Sequence, residues 1–230
     1  IRTTISYNDS NVKIVGAHAG ISVGPDGATH QAVEDIATMR VMANMKVFAP
    51  CDSIEAKKAT LAAAKIWGPV YLRVGREKTH VFTTEKTPFV PGKAEVLWET
   101  TNGRGKAQVV IIGCGQLLYN ALIAARDLEK EKIGVIVLNS HTIKPLDEKK
   151  IIELARKTGA VVTVEEHQVS GGLGGAVAEV LAKHVPTPME FVGMQDVFGE
   201  SGSSGELIKK YGMDVPDIIR AVRKVIKRKR

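Results

Sequence analysis

Short apolar runs alternate along the chain with segments in which apolar residues recur every three or four positions. The runs predict strands at 12–16, 46–49, 70–74, 94–98, 108–113, 134–138, 160–165 and 189–192. The periodic segments predict helices at about 32–42, 52–66, 117–128, 147–157, 175–183 and 216–226. Capping-box patterns at 52–55 and 203–206 mark two helix starts. This alternation is typical of an α/β protein with mostly parallel sheets flanked by helices.

The pattern lapses between residues 77 and 93, where threonine, proline and glycine accumulate. We therefore predict two units, 1–88 and 94–230, joined by a linker at 89–93. The first unit has only three predicted strands, and a parallel sheet that small leaves an edge or a face uncovered. It is expected to be the latter part of a larger domain. Within the second unit, residues 102–105 (Asn-Gly-Arg-Gly) predict a turn.

Composition narrows the function classes. The 230 residues carry a net charge of +7, but seven basic residues and no acidic ones lie between 220 and 230, so the rest of the chain is neutral. Aromatic residues make up 5% and none lies in that tail, so a solvated helix end is favoured over nucleic-acid binding. No apolar run is long enough to span a membrane, and no secretion signal opens the chain. Two distant cysteines, Cys51 and Cys114, indicate a reducing, cytoplasmic compartment and no zinc site.

The densest polar cluster lies between the first predicted strand and the first predicted helix, at residues 18–31. In open α/β sheets, ligands bind beyond the carboxyl ends of the strands, which is where this loop lies. Its histidines, aspartate, threonine and glutamine suit a small hydroxylated ligand. Each feature alone has a structural reading as well, since Asp26-Gly27 is a common turn and Thr29 is a possible helix cap.

The order of residues in this loop, His18 followed by Asp-Gly-Ala-Thr-His-Gln at 26–31, resembles the substrate loop of transketolases. Other matches to that family are the strand at 69–76, which ends in an arginine, and C-terminal landmarks at 143–147, 164–167 and 171–174. The resemblance covers essentially the whole chain. It implies that 1–88 is an incomplete pyrimidine-binding domain and that 94–230 is the C-terminal domain.

The resemblance also implies roles for four residues. His30 is expected to be the catalytic group and to contact the hydroxyls of the two-carbon donor fragment. Asp26 is expected to accept a hydrogen bond from the hydroxyl beside the reacting carbon. His18 and Arg76 are expected to hold the sugar phosphate, because a guanidinium offers a planar fork for phosphate oxygens. Arg73 is the competing candidate for that last role, three residues away on the same strand.

The resemblance also implies a thiamine diphosphate-dependent transferase that passes a two-carbon ketol unit between sugar phosphates. The cofactor and Mg²⁺ would be held largely outside this chain, which is therefore expected to be inactive alone. Expected partners are a second copy or an N-terminal transketolase portion. The alternatives are a deoxyxylulose phosphate synthase, whose motifs differ around His18 and Arg76, and a non-catalytic dimerisation or regulatory domain.

Other features favour structural interpretations. The adjacent Glu165, Glu166 and His167 point in different directions along a strand, which favours a structural network over a metal site. The glycine run at 171–175 lacks the lysine of a phosphate loop and favours close packing. Cys114 is expected to pack as a small apolar residue. Three isolated histidines are expected at the surface or as caps: His80, His141 and His184.

Overall fold

The computed structural model describes residues 1–100 and 106–229, so the turn predicted at 102–105 lies outside the described residues. A π-helical turn, Arg2–Tyr7, precedes the first strand, and a 3₁₀ helix, Ile21–Asp26, follows it. The strands are β1 (Lys13–Gly16), β2 (Lys46–Phe48), β3 (Val70–Arg73), β4 (Glu95–Glu99), β5 (Val109–Gly113), β6 (Val135–Asn139), β7 (Thr142–Lys144), β8 (Val161–Gln168) and β9 (Met189–Met194). The α-helices are α1 (Asp35–Arg40), α2 (Ser53–Lys65), α3 (Leu118–Lys130), α4 (Glu148–Thr158), α5 (Leu173–His184), α6 (Ser204–Lys210) and α7 (Val215–Lys227).

The first sheet has the order β1-β3-β2-β7, and its first three strands are parallel. The sequence did not predict β7, which runs antiparallel to β2 and places Thr142 opposite Phe48. This short strand comes from the second predicted unit and forms one edge of the first sheet. The two predicted units therefore share backbone hydrogen bonds.

The second sheet has the order β4-β6-β5-β8-β9. Strands β6, β5, β8 and β9 are parallel to one another. Strand β4, which the sequence predicts at 94–98, runs antiparallel to β6 at the edge of the sheet. Every residue of β5 and β6 is buried. Burial on both faces explains why these strands appear in the sequence as continuous apolar runs rather than as alternating patterns. The mixed α/β architecture, with mostly parallel sheets flanked by helices, confirms the predicted fold class.

Helix α1 is shorter than the predicted 32–42 because its expected first residues make non-helical contacts. Ala32 bridges Ala19 in parallel, and its carbonyl accepts a hydrogen bond of 2.8 Å from the Gly20 backbone N–H. The Val33 carbonyl accepts one from the Gln168 backbone N–H, also at 2.8 Å. Those carbonyls are therefore not available to an α-helix until the chain has passed the polar loop.

The two predicted capping boxes differ. At α6, Ser203 and Glu206 form the full reciprocal box. At α2, Asp52 caps the helix by accepting from the Glu55 backbone N–H at 2.9 Å, but Glu55 does not return the bond. Its carboxyl accepts from the Cys51 backbone N–H at 2.7 Å and from the Asn139 amide at 2.7 Å. Glu55 thus ties α2 to the end of β6, so that helix and the second sheet hold one another in place.

The prediction that His141 lies at the surface or caps a helix is wrong. Its side chain is fully buried and stacks on Phe89, with ring centroids 4.2 Å apart. One ring nitrogen, Nδ1, lies 3.0 Å from the Thr142 hydroxyl, and the other has no hydrogen-bond partner among residues 1–100 and 106–229. Burial lowers the pKa of His141 to about 4, so the ring is neutral near pH 7. His80 and His184 are exposed, as predicted.

The two cysteines and the basic tail agree with their structural interpretations. Cys51 and Cys114 are buried free thiols, and burial raises the pKa of both. On the last helix, Arg223 pairs with Glu131 at 2.7 Å, and further basic side chains pair with Glu190. Among the described residues, no helix is long and apolar enough to cross a bilayer.

Candidate functional site

The polar loop after β1 is held in a defined shape. The chain leaves the strand through His18, at φ 58°, and Gly20, at φ 84°. It then forms the 3₁₀ helix, which bends at Gly24 (φ 78°). Positive φ values are adopted readily by glycine and seldom by other residues, so Gly20 and Gly24 permit these two bends. The loop is therefore an ordered element built on the end of a strand.

The loop brings Asp26 next to Arg76, the arginine that follows β3. Asp26 Oδ1 lies 2.9 Å from Arg76 Nη1, and that nitrogen also donates to the Val23 carbonyl at 3.0 Å. Both charged side chains are 36% exposed. Because β1 and β3 are parallel neighbours, the segments that follow them emerge at the same edge of the sheet. Within the described chain, recorded contacts of the Arg76 guanidinium involve only Nη1, so its Nε–Nη2 edge is open.

The two histidines of the loop, His18 and His30, are exposed and are not hydrogen-bonded to this ion pair within the described chain. His30 Nδ1 is 2.9 Å from the Thr29 hydroxyl. Neither His18 nor His30 has a recorded hydrogen bond to Asp26 or Arg76 within the described chain. Thr29 does not cap α1, whose N-cap is Glu34, so that structural alternative for the threonine is wrong.

Arg73, the competing candidate, belongs to a buried network instead. Its Nε donates to Asp35 Oδ2 at 2.9 Å, and the Tyr71 hydroxyl donates to the same oxygen at 2.8 Å. Its Nη2 donates to the Glu166 carbonyl at 2.8 Å and to the Ala32 carbonyl at 3.2 Å. Burial alone would raise the pKa of Asp35, but Arg73 and Tyr71 hold it below its ordinary value. Arg73 therefore joins elements of the fold.

The back of the loop rests on Glu166 in β8. Glu166 Oε1 accepts a hydrogen bond of 2.5 Å from the Ser22 backbone N–H. The Gln116 side-chain amide donates both to the Ser22 hydroxyl and to Glu166 Oε2. Burial raises the pKa of Glu166, and these donors together with Arg73 oppose that rise. The second sheet thus contacts the loop through a buried carboxylate.

The neighbours of Glu166 support the predicted structural network. Glu165 accepts from the Leu173 and Gly174 backbone N–H groups at the start of α5, each at 2.7 Å. Burial raises the pKa of Glu165 to about 7, although these two hydrogen bonds oppose it. His167 is buried, and burial with the nearby Arg73 charge lowers its pKa to about 4.

The glycine run packs closely, as predicted. A Cβ added at Gly172 would overlap the Glu165 carboxyl, and one at Gly174 would lie 2.7 Å from the Phe191 ring. Only glycine leaves room for α5 to approach the sheet this closely. Helix–strand packing therefore explains the motif at 171–175 without a bound anion.

A cavity of about 410 Å³ lies beside the loop, between the two sheets. Its lining includes Cys51, Asp52, Arg73, Gln116 and Glu166, and none of the four predicted substrate residues. The cavity is lined by Ala19 and Gly75, the chain neighbours of His18 and Arg76, as well as by Glu166. Within residues 1–100 and 106–229, no cluster of three or more histidine, cysteine or acidic side chains could hold a metal ion.

Two known protein families match the sequence of this chain. The family of transketolase pyrimidine-binding domains matches residues 1–80, and that of transketolase C-terminal domains matches residues 99–218. The chain belongs to the transketolase family. It corresponds to the C-terminal part of those enzymes, which are transferases and generally depend on thiamine diphosphate.

Relatives include short subunits as well as full-length enzymes. The chain is 39% identical over 229 residues to the 6-deoxy-6-sulfo-D-fructose transketolase subunit SqwH of Clostridium sp. (strain MSTE9), covering 100% of this chain and 69% of the relative. It is 40% identical to a putative transketolase C-terminal section of Methanocaldococcus jannaschii, covering 99% of the chain and 70% of that protein. It is 36% identical to Rattus norvegicus transketolase, of which it spans only 35%.

Solved structures show the same relationship. A split-gene transketolase described as an inactive β4 tetramer superimposes with a TM-score of 0.91 at 44% identity, covering 100% of this chain and 72% of that one. Transketolase from Leishmania mexicana gives a TM-score of 0.78 at 28% identity, covering 97% of this chain and 31% of that one. This transketolase-family chain therefore has the fold of its relatives across nearly its full length.

The sequence places Glu166 in a structural network and in the family landmark at 164–167, and Asp35 follows the loop motif, but it does not indicate the contact between Glu166 and the loop. Gln116 carries no sequence signal apart from its position after a buried strand, where side chains meet the edge of a sheet.

Proposed function

We propose that this chain is the C-terminal portion of a thiamine diphosphate- and Mg²⁺-dependent transketolase that transfers a two-carbon ketol unit between sugar phosphates. The observation that carries the proposal is the pairing of Asp26 with Arg76 on an exposed loop edge, in a transketolase-family chain. The names of the relatives also favour a transketolase over a deoxyxylulose phosphate synthase or a purely regulatory domain.

Arg76 and His18 bind the phosphate of the substrate in this proposal. The Nε–Nη2 edge of Arg76 has the planar geometry that donates hydrogen bonds to two phosphate oxygens at once. The Asp26 carboxylate on Nη1 holds the guanidinium in place without occupying that edge. His18 is exposed at the start of the same loop and can donate to the same phosphate.

Asp26 and His30 act nearer the reacting carbon. Asp26 accepts a hydrogen bond from the donor hydroxyl beside that carbon, and so distinguishes its configuration. His30 contacts the hydroxyls of the two-carbon fragment and is the group placed to move a proton there. When bound, thiamine diphosphate supplies the nucleophilic carbon and the electron sink for this chemistry.

We assign the diphosphate and Mg²⁺ largely to the part of the relatives that this chain does not cover, since the chain spans 69% of the similar transketolase subunit. The active site is then completed by an N-terminal transketolase portion, in an assembly that can also contain a second copy of this chain. The inactivity described for the β4 tetramer of the similar split-gene protein supports this division. The linker at 89–93 and the cytoplasmic location stay predictions.

The proposal is tested by reconstitution. The chain is mixed with an N-terminal transketolase portion, thiamine diphosphate and Mg²⁺, and transfer from a ketose phosphate to an aldose phosphate is measured. We expect turnover only in the complete mixture. Transfer by the chain alone would contradict the assignment of roles.

A substitution tests the phosphate site within that mixture. Arg76→Ala is expected to lower kcat/KM for phosphorylated substrates about 10- to 100-fold, the loss expected for a charged hydrogen-bonding partner. Unphosphorylated sugars should be affected far less. Arg223→Ala, which removes another exposed, ion-paired arginine on α7, is the control and should change neither value. An equal effect of Arg76→Ala on both substrate types would argue against a phosphate site.

A further inference from the structure

The substrate loop has a buried anchor at Ser22, in addition to the Gln31 amide, which donates to the Ile21, Gly24 and Glu200 carbonyls. Ser22 is fully buried, and its backbone N–H donates to Glu166 Oε1 at 2.5 Å. Gln116 extends the anchor by donating to both the Ser22 hydroxyl and Glu166 Oε2. Ser22 and Glu166 are 144 residues apart in the chain. This contact therefore connects the loop of the first sheet to the second sheet.

The anchor leaves the loop little freedom to move backwards. A Cβ at Gly20 would overlap the Glu166 carboxyl, so the loop backbone lies directly against that group. Glu166 is itself fixed, because it lies in the buried strand β8 and its carbonyl accepts a hydrogen bond of 2.8 Å from Arg73. A fixed carboxylate against a tightly packed backbone sets where the loop lies.

Ser22 is linked to the predicted substrate residue Asp26 by a short helical segment of the loop. Ser22 and Asp26 lie in two consecutive 3₁₀ turns, which are separated by a non-helical kink at Gly24 (φ 78°, ψ −116°). Beyond that bend, Asp26 meets Arg76. A displacement at Ser22 is therefore passed to the Asp26 carboxylate, and misplacement of about 1 Å is enough to weaken catalysis strongly.

We infer that Glu166 is a positioning residue, which with Gln116 holds the 3₁₀ helix so that Asp26 can select the configuration of the ketose donor. This inference rests on the proposed function. Glu166 does not touch the substrate in this arrangement. It acts through Ser22, so its removal should change selectivity at the donor hydroxyl more than it changes the chemistry common to all donors.

A matched control lies next to it. Glu165 is in the same strand, is also buried and accepts two backbone N–H groups of α5, whereas Glu166 accepts one backbone N–H of the loop and the Gln116 amide. Glu165→Gln and Glu166→Gln therefore make the same carboxyl-to-amide change at neighbouring buried sites. In Glu166→Gln, one acceptor is replaced by a donor, which then faces either the Ser22 N–H or the Gln116 amide.

The experiment compares both variants with the wild type in the reconstituted enzyme. Two donors are used, a ketose phosphate and 3-hydroxy-2-oxopropanoate, which has no secondary hydroxyl beside its carbonyl. For Glu166→Gln we expect kcat/KM to fall about tenfold with the ketose phosphate and less than about twofold with the oxo acid. For Glu165→Gln the ratio of the two values should equal that of the wild type. Hydrogen exchange of the same assemblies reports on the loop, and residues 20–27 should exchange faster only in Glu166→Gln.

The outcomes separate the inference from the proposed function. Equal losses with both donors, or unchanged exchange in residues 20–27, would overturn the positioning role. The same change of donor ratio in Glu165→Gln would also overturn it, because a general loss of stability would then explain the effect. If the wild-type assembly transfers no ketol unit, the proposed function fails and the selectivity role falls with it, while the exchange data still decide whether Glu166 holds the loop.

Discussion

Arg73 and Arg76 lie three residues apart at the end of β3, yet their side chains differ in exposure and in hydrogen-bonding partners. The Arg73 side chain is 7% exposed and meets Asp35, which is 10% exposed. The Arg76 side chain is 36% exposed and meets Asp26, which is equally exposed. Both pairs have a closest approach of 2.9 Å. Distance alone therefore does not tell a structural ion pair from one that is available to a ligand.

The surroundings of each pair make that distinction. Arg73 donates to Asp35 and to two backbone carbonyls, and the Tyr71 hydroxyl donates to the same Asp35 oxygen, so the guanidinium joins β3, α1 and β8. Among the described residues, the Val23 carbonyl is the other hydrogen-bond partner of the Arg76 guanidinium, whose side chain is 36% exposed. A ligand can replace the partner of an exposed charge at a small cost in free energy, whereas the loss of the partner of a buried charge strongly destabilises the fold.

The largest expected effect is on the buried pair. Arg73→Ala should lower the free energy of unfolding by about 3–5 kcal/mol, because it leaves the Asp35 carboxylate buried without its cation. Urea denaturation followed by circular dichroism measures this change. Arg76→Ala serves as the comparison and should stay within about 1 kcal/mol of the wild type. Equal losses in the two variants would mean that the Arg76 pair is also structural.

The pH dependence of stability should expose a second buried group, Glu165. Its pKa is raised to about 7 in the folded chain, so the folded state binds more protons than the unfolded state between the ordinary glutamate pKa and 7. Its contribution is therefore most favourable in acid and is lost as the pH rises through about 7. The loss is on the order of 1–3 kcal/mol, since each pKa unit corresponds to about 1.4 kcal/mol.

This effect is isolated by difference, because other buried groups titrate nearby. Unfolding free energies of the wild type and of Glu165→Gln are measured from pH 5 to pH 8. The wild type should lose stability relative to the variant as the pH rises. A difference that is constant with pH would show that Glu165 is ionised throughout the range.

The contribution of His141 to stability changes with pH in the opposite direction to that of Glu165. Its pKa is lowered to about 4, so its burial as a neutral ring stabilises the fold near pH 7, and that contribution is lost as the pH falls from about 6.5 to 4. His141→Phe keeps a ring to stack on Phe89 and removes the buried nitrogen that has no recorded partner. We expect a change within about 1 kcal/mol at pH 7 and a smaller loss of stability at pH 5. Denaturation at both pH values measures this, and a wild-type-like loss at pH 5 would contradict it.

The contrast between these groups also shows how far the sequence leads. Strands such as β5 and β6 were predictable because burial on both faces requires continuous apolar runs. The meeting of Asp26 and Arg76 was predictable because both follow parallel strands of one sheet. Strand β7 was missed because it has only three residues and gains its ladder from a strand almost a hundred positions earlier.

Burial of polar groups was the harder part to predict. An isolated histidine such as His141 has the same sequence signature whether it is exposed or enclosed by Phe89. The contact between Glu166 and Ser22 depends on how two sheets pack, and nothing in the spacing of residues 144 positions apart specifies it. The sequence thus indicates which groups are available for chemistry, and tertiary packing decides which of them are held in place.

The smallest expected change in stability belongs to Asp26, and it sharpens the comparison between the two ion pairs. Asp26→Asn removes the charge that faces Arg76, but both side chains are exposed enough for water and salt to compensate. The free energy of unfolding should therefore stay within about 0.5 kcal/mol of the wild type, at low and at high salt. Urea denaturation at two salt concentrations measures this. A loss of more than about 2 kcal/mol would place Asp26 with Asp35 among the structural carboxylates, and the exposed loop edge would no longer be free to receive a substrate.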